Sequence, residues 1–138
     1  MATQYPPAFY RVSAKAIIFS GDRLVLMKED QDAWELPGGG IEHRETLEQA
    51  FEREITEETG ATLETVDLTK VEPWLMYDER DDRPLLQLVA RVTTKQSVQA
   101  GMFGDVEIGL FTREQMDSIE LAPFAEKHRA ALIAFAFG

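Results

Sequence analysis

The glutamates within GGGIEHRETLEQAFEREITEETG, residues 38–60, are the side chains of this 138-residue chain whose types and spacing most invite chemistry. Placed on a helix at about 100° per residue, residues 46–59 gather Leu47, Ala50, Phe51 and Ile55 on one side. The same stripe continues at Glu54 and Glu58, so carboxylates fill the C-terminal half of a face that should be apolar. Glu57 flanks them, while Glu48, Glu52 and Thr56 fall on the opposite, solvated side. A partly buried carboxylate takes up a proton, finds a cation or coordinates a metal, because an unpaired charge in low dielectric is costly. Arg53 can pair with Glu57 at i+4 or reach back to Glu45, but one guanidinium does not neutralise three glutamates. Oxygen ligands in this number suit a hard divalent cation, Mg²⁺ or Mn²⁺. The competing reading is an acidic helix whose last turn rotates into solvent.

Gly38, Gly39 and Gly40 precede the helix, and absent side chains let backbone groups approach a ligand or adopt φ > 0. A backbone carbonyl here could complete a metal's shell, although glycines after a proline also make simple flexible turns. With Pro37, these glycines are expected to interrupt any regular element.

The elements that must position these residues follow from patterning. Residues 11–20 alternate, with Val12, Ala14, Ala16 and Ile18 on one face and Arg11, Ser13 and Lys15 on the other, which reads as a strand. Gly21 and Asp22 turn the chain into a second apolar strand at residues 24–27, giving a hairpin. Thr46 with Gln49 makes a capping box, and Gly60 is placed to end the helix. Beyond it, VEPWLMYDE and PLLQLVARVT read as two strands joined by the turn RDDR. A short strand at 107–111, a short helix at 113–118 and a longer closing helix at 123–137 complete a mixed α/β chain.

Length and the lack of repeats or linkers favour one domain over residues 1–138. A formal charge of −11 argues against duplex nucleic acid and anionic lipid as partners. No cysteine is present, which excludes disulfides, thiolate metal sites and cysteine nucleophiles. No apolar run is long enough to span a bilayer and the start lacks a signal-peptide pattern, so the expected location is the cytoplasm.

From Gly39 the chain reads glycine, five residues, Glu45, seven residues, then REITEETGA over residues 53–61. This resembles the Nudix box of the Nudix hydrolases, with Ala61 standing where a larger aliphatic residue is usual. His43 and Arg44 occupy a stretch that often holds proline or glycine. The resemblance covers about a sixth of the chain and implies an α/β/α sandwich with a central mixed sheet. It implies metal-dependent hydrolysis of a nucleoside diphosphate linked to another moiety. It makes Glu54, Glu57, Glu58 and the Gly38 carbonyl metal ligands, with Arg53 and Glu45 holding the glutamates in position. The general base is Glu54 or Glu57, or a later carboxylate, for which Glu107 is preferred to Asp105.

Candidate substrate contacts are Arg11 and Lys15 on the first strand, Gly39, Gly40 and Tyr77. Ser13, Trp74 and Phe9 are further candidates for ribose, phosphate or base, though strand and core roles are the commoner fate of such residues. The isolated His43 and His128 read as structural or exposed. The alternative function is a non-catalytic nucleotide-binding module, which usually carries a damaged box or an added domain. Isopentenyl diphosphate isomerase, a related fold, needs a cysteine that this chain lacks. A homodimer is possible, with the apolar tail ALIAFAF either in the core or at an interface.

Overall fold

A computed structural model of the chain describes residues 9–30, 32–78 and 83–138. The strands are β1 (Arg11–Ile17), β2 (Phe19–Ser20), β3 (Arg23–Lys28), β4 (Gly38–Gly40), β5 (Leu63–Val66), β6 (Glu72–Asp78), β7 (Arg83–Thr94), β8 (Gly101–Phe103) and β9 (Val106–Phe111). The helices are α1 (Leu47–Thr59), α2 (Pro123–Lys127) and α3 (Arg129–Phe137), with a 3₁₀ turn at Gln115–Asp117.

β1 lies between β4, antiparallel, and β7, parallel. Parallel pairing needs a long crossover between the two strands, and α1 lies within it. The long β7 pairs antiparallel with β6 through its first half and with β5 through its last residues. A second, antiparallel sheet runs β2-β3-β9-β8.

Two apolar cores hold these layers together. Ala50, Phe51 and Ile55 of α1 pack on Ala14, Ala16, Ala90 and Val92 of one sheet and on Val25, Met27 and Ile108 of the other. The second core joins Ile17, Leu24, Leu26, Trp74 and Val89 to Ala125 of α2 and Leu132, Phe135 and Ala136 of α3. Burying a side chain the size of Phe51 completely stabilises by about 1.5–3 kcal/mol. Helices therefore cover the sheets on both sides, the sandwich expected from the sequence, and much of the ALIAFAF tail is core.

The capping box forms as read: the Thr46 hydroxyl accepts from the Gln49 N–H, and the Gln49 side chain accepts from the Thr46 N–H. Gly60 closes α1 with φ 71°. Three readings need correction. Gly38–Gly40 form a strand, β4, because the missing side chains let this backbone press against β1. The closing helix is broken at His128, whose φ of −114° leaves the helical range and whose ring stacks on Trp74 at 5.0 Å. β5 and β8 carry too little alternation to have been read as strands. The RDDR turn lies mostly outside the described residues, but β6 and β7 pair as expected.

Candidate active site

Helix α1 docks its acidic C-terminal half against the glycine strand. The Gly38 N–H donates to Glu58 Oε1 at 2.7 Å, and Glu58 is 5% exposed. On the other side of Gly38, the Lys15 ammonium lies 3.3 Å from the Leu36 carbonyl and 3.5 Å from that of Gly38. Both contacts are long, so the ammonium is loosely held. Burial pushes the Glu58 carboxyl up to about 8, and the nearby Glu54 and Glu29 add to the rise. Lys15 and the Gly38 N–H oppose it without cancelling it.

Arg53 organises the opposite flank. Its Nε and Nη2 donate to the two oxygens of Glu45 at 2.7 and 2.8 Å, a bidentate pair. Nη2 also reaches the Gly40 carbonyl at 3.0 Å, and Nη1 holds Glu54 Oε1 at 2.8 Å. These bonds tie the helix, the preceding loop and β4 into one unit. Hydrogen bonds from Arg53 and from the Glu42 N–H pull the Glu45 carboxyl down to about 2. Lysine cannot reproduce this planar fork. Arg53→Lys is therefore expected to destabilise the protein by about 1–3 kcal/mol, read by urea denaturation, while leaving the carboxylates of α1 chemically intact.

The other candidates separate clearly. Glu57 stands 59% exposed, with only a 3.7 Å approach to Arg53. A Cβ on Gly39 would lie 2.6 Å from Glu54 Oε1, and one on Gly40 would lie 2.6 Å from an Arg11 guanidinium nitrogen. Arg11 is exposed, whereas Lys15 and Ser13 are buried on β1, which has strand neighbours on both edges. Tyr77 is 46% exposed near the end of β6, and Phe9 is 82% exposed. Trp74 is buried, stacked on His128 and bonded through Nε1 to Glu72. Glu107 is exposed on β9 opposite Lys28 and Met102.

Sequence reasoning missed Glu29 and Glu35. Glu29 follows β3, and its carboxyl is raised by partial burial and by repulsion from Asp30, Glu35, Glu54 and Asp105. Asp105 is thus near enough to Glu29 to contribute to that rise. Glu29 carries no periodic signature, because its proximity arises only when β3 is laid beside the other strands. Asp30, the next residue, has a positive φ of 57°. A cavity of about 540 Å³ between Arg113, Arg129, Ile133 and Phe137 contains none of these groups.

The donor chemistry fits a hard divalent cation. Glu54, Glu57, Glu58 and the Gly38 carbonyl are all oxygen donors, and the buried Glu58 is the group most in need of a positive partner. Among the described residues no three acidic side chains already converge on a single point.

A mixed sheet between helices, with a glutamate-rich helix clasped to a glycine strand, defines the Nudix class of fold. The chain belongs to the NUDIX domain family, whose model matches residues 9–135. An RNA pyrophosphohydrolase of Histophilus somni (strain 2336) is 36% identical over 85 residues, covering 55% of this chain and 44% of that protein. The nucleoside triphosphatase NudI of Enterobacter sp. (strain 638) is 50% identical over 46 residues, 33% of this chain and 30% of its own length. The aligned part of the chain thus spans less than half of each of these relatives. Among solved structures, a MutT from Aliivibrio salmonicida or Vibrio cholerae superposes with a TM-score of 0.71 at 20% identity, over 92% of this chain and 99% of that one. The E. coli ORF135 protein superposes at 0.70 and 23% identity, over 93% and 91%.

Proposed function

We propose that this chain hydrolyses a pyrophosphate linkage in a small nucleoside diphosphate derivative, using Mg²⁺ or Mn²⁺. The observation that carries this reading is the buried Glu58 carboxylate, held on the Gly38 N–H beside Glu54, in a site otherwise organised by Arg53. Burying an acidic group without a cationic partner costs free energy. The bound ion would polarise the phosphoryl oxygens and screen the acidic site from an anionic substrate.

The chain's own residues supply the remainder. Glu54, Glu57, Glu58 and the Gly38 carbonyl would hold the ion. Arg53 and Glu45 fix the helix relative to β4, so the ligand oxygens keep their spacing. Glu57 and Glu54 are the candidate bases for the attacking water, with Glu107 and Asp105 as later alternatives. Arg11, exposed at the start of β1 and beside Gly40, is the candidate phosphate contact. Two relatives are named an RNA pyrophosphohydrolase and a nucleoside triphosphatase. The charge of −11 favours the smaller ligand for this chain.

A hydrolysis panel tests the reading: nucleoside triphosphates, ADP-ribose, nucleotide sugars, dinucleoside polyphosphates, NADH and a 5′-triphosphorylated RNA, each with Mg²⁺ or Mn²⁺. Turnover of one class that Glu57→Gln and Glu58→Gln both abolish supports it. A folded protein that binds nucleotides but turns over none of them would instead be a binding module.

A further inference from the structure

The face of the mixed sheet opposite α1 carries an ordered grid of side chains. Strand register sets Met76, Leu85 and Arg11 in one row, and Trp74, Gln87, Ser13 and Gly40 in the next. A third row holds Glu72, Val89, Lys15 and Gly38. The middle row is unusual. Gln87 is 8% exposed and Ser13 is 9% exposed, yet neither side chain hydrogen-bonds to any other described residue.

A buried amide without a partner costs about 1–3 kcal/mol, so such a group in a native protein calls for an explanation. No polar side-chain atom among the described residues is both sealed from solvent and unpaired. The Gln87 amide and Ser13 hydroxyl therefore each retain a small contact with solvent. Leu85, Met76 and Trp74 give this polar floor apolar walls. Flat apolar walls with a few convergent polar groups are the makings of a small-molecule site.

We propose that Gln87, assisted by Ser13, is a specificity-determining residue that reads the hydrogen-bonding edge of the substrate's nucleobase. This deepens the hydrolase reading and rests on it. A carboxamide offers a coplanar donor and acceptor, the complement of the donor–acceptor edge of a base, as glutamine does with adenine. The two polar groups of the middle row are uncharged, which suits a neutral heterocycle, while the cations Arg11 and Lys15 stand in the rows on either side. The placement agrees: Ser13 pairs with Gly40 and Gln87 with Ser13, so Gln87 lies two strand spacings, roughly 10 Å, from the glycine strand at the carboxylate site. That separation matches a nucleotide lying across β1 with its base on β7 and its phosphates at β4.

The test compares wild type with Gln87→Leu and Ser13→Ala on four nucleoside triphosphates and on abasic ribose 5-triphosphate. Leucine is close to glutamine in volume and suits a buried strand position, so folding is retained; Ser13→Ala provides an independent second variant. Wild type should favour one base over the abasic compound. Gln87→Leu should lose about ten- to a hundred-fold in kcat/KM for that nucleotide, through KM with kcat nearly unchanged, and lose nothing on the abasic compound. Ser13→Ala should show the same pattern with a smaller loss. Unchanged base preference in both variants, or an equal loss on the abasic compound, overturns the proposal. If wild type cleaves none of these probes, the hydrolase reading is decided by the wider substrate panel above. Calorimetry of nucleoside monophosphates with wild type and Gln87→Leu then still decides the pocket, since equal affinities would refute it.

Discussion

Glu58→Gln is expected to cut metal-dependent turnover at least about a hundred-fold, the scale seen when an electrostatic group in a reacting site is removed. The same change should make the metal-free protein more stable in alkaline buffer. The reason lies in the carboxyl at about 8, well above its ordinary value of 4.5. Because the folded pKa is raised, the folded state binds more protons than the unfolded state between these two values. The stability linked to Glu58 is fully present below about pH 4.5, declines as pH rises, and is lost as pH passes about 8. Thermal melts of metal-free wild type should show Tm falling across this window, with a much shallower fall in Glu58→Gln. Adding Mn²⁺ at pH 8.5 should raise Tm in wild type far more than in the variant, since ligand binding to the native state stabilises it. A glutamate that costs stability when empty and regains it with an ion is behaving as a ligand. Equal Mn²⁺-induced shifts in both proteins would remove Glu58 from that role.

The second large effect is expected at Gly38. Its φ of 135° lies in a region that L side chains rarely adopt, and a Cβ there would overlap the Ala14 carbonyl. Alanine at this position forces β4 off β1, which also withdraws the Gly38 N–H from Glu58. Gly38→Ala should lower unfolding stability by about 4 kcal/mol or more in urea titration, among the larger effects of single substitutions. Gly21→Ala is the natural control. Gly21 has φ 64° at the β2–β3 turn, but a Cβ there meets nothing within 4 Å. It should cost only the left-handed backbone penalty, about 1–2 kcal/mol. Similar losses at the two glycines would mean that close packing of β4 contributes nothing beyond conformation.

Local chemistry made much of this protein readable. The capping box at Thr46 and Gln49, the terminating Gly60 and the apolar stripe of α1 depend on residues within a few turns of one another. Their periodicity also revealed that Glu54 and Glu58 lie on the inward face. The Nudix box is local in the same sense, because its glycine, glutamates and arginine fall within one loop and one helix.

Tertiary structure decided the remainder. Gly38–Gly40 have no strand propensity and became β4 only because β1 was available as a partner. Lys15 read as a polar-face residue and is buried, since the strands that flank β1 on both edges are a property of the whole sheet. Glu29 joined the glutamates, and Gln87 met Ser13 and Trp74, through pairings between strands far apart in sequence. A side chain's burial on a helix follows from spacing along that helix. Its burial in a sheet depends on which strands lie beside it and what covers them, and no short stretch of sequence contains that information.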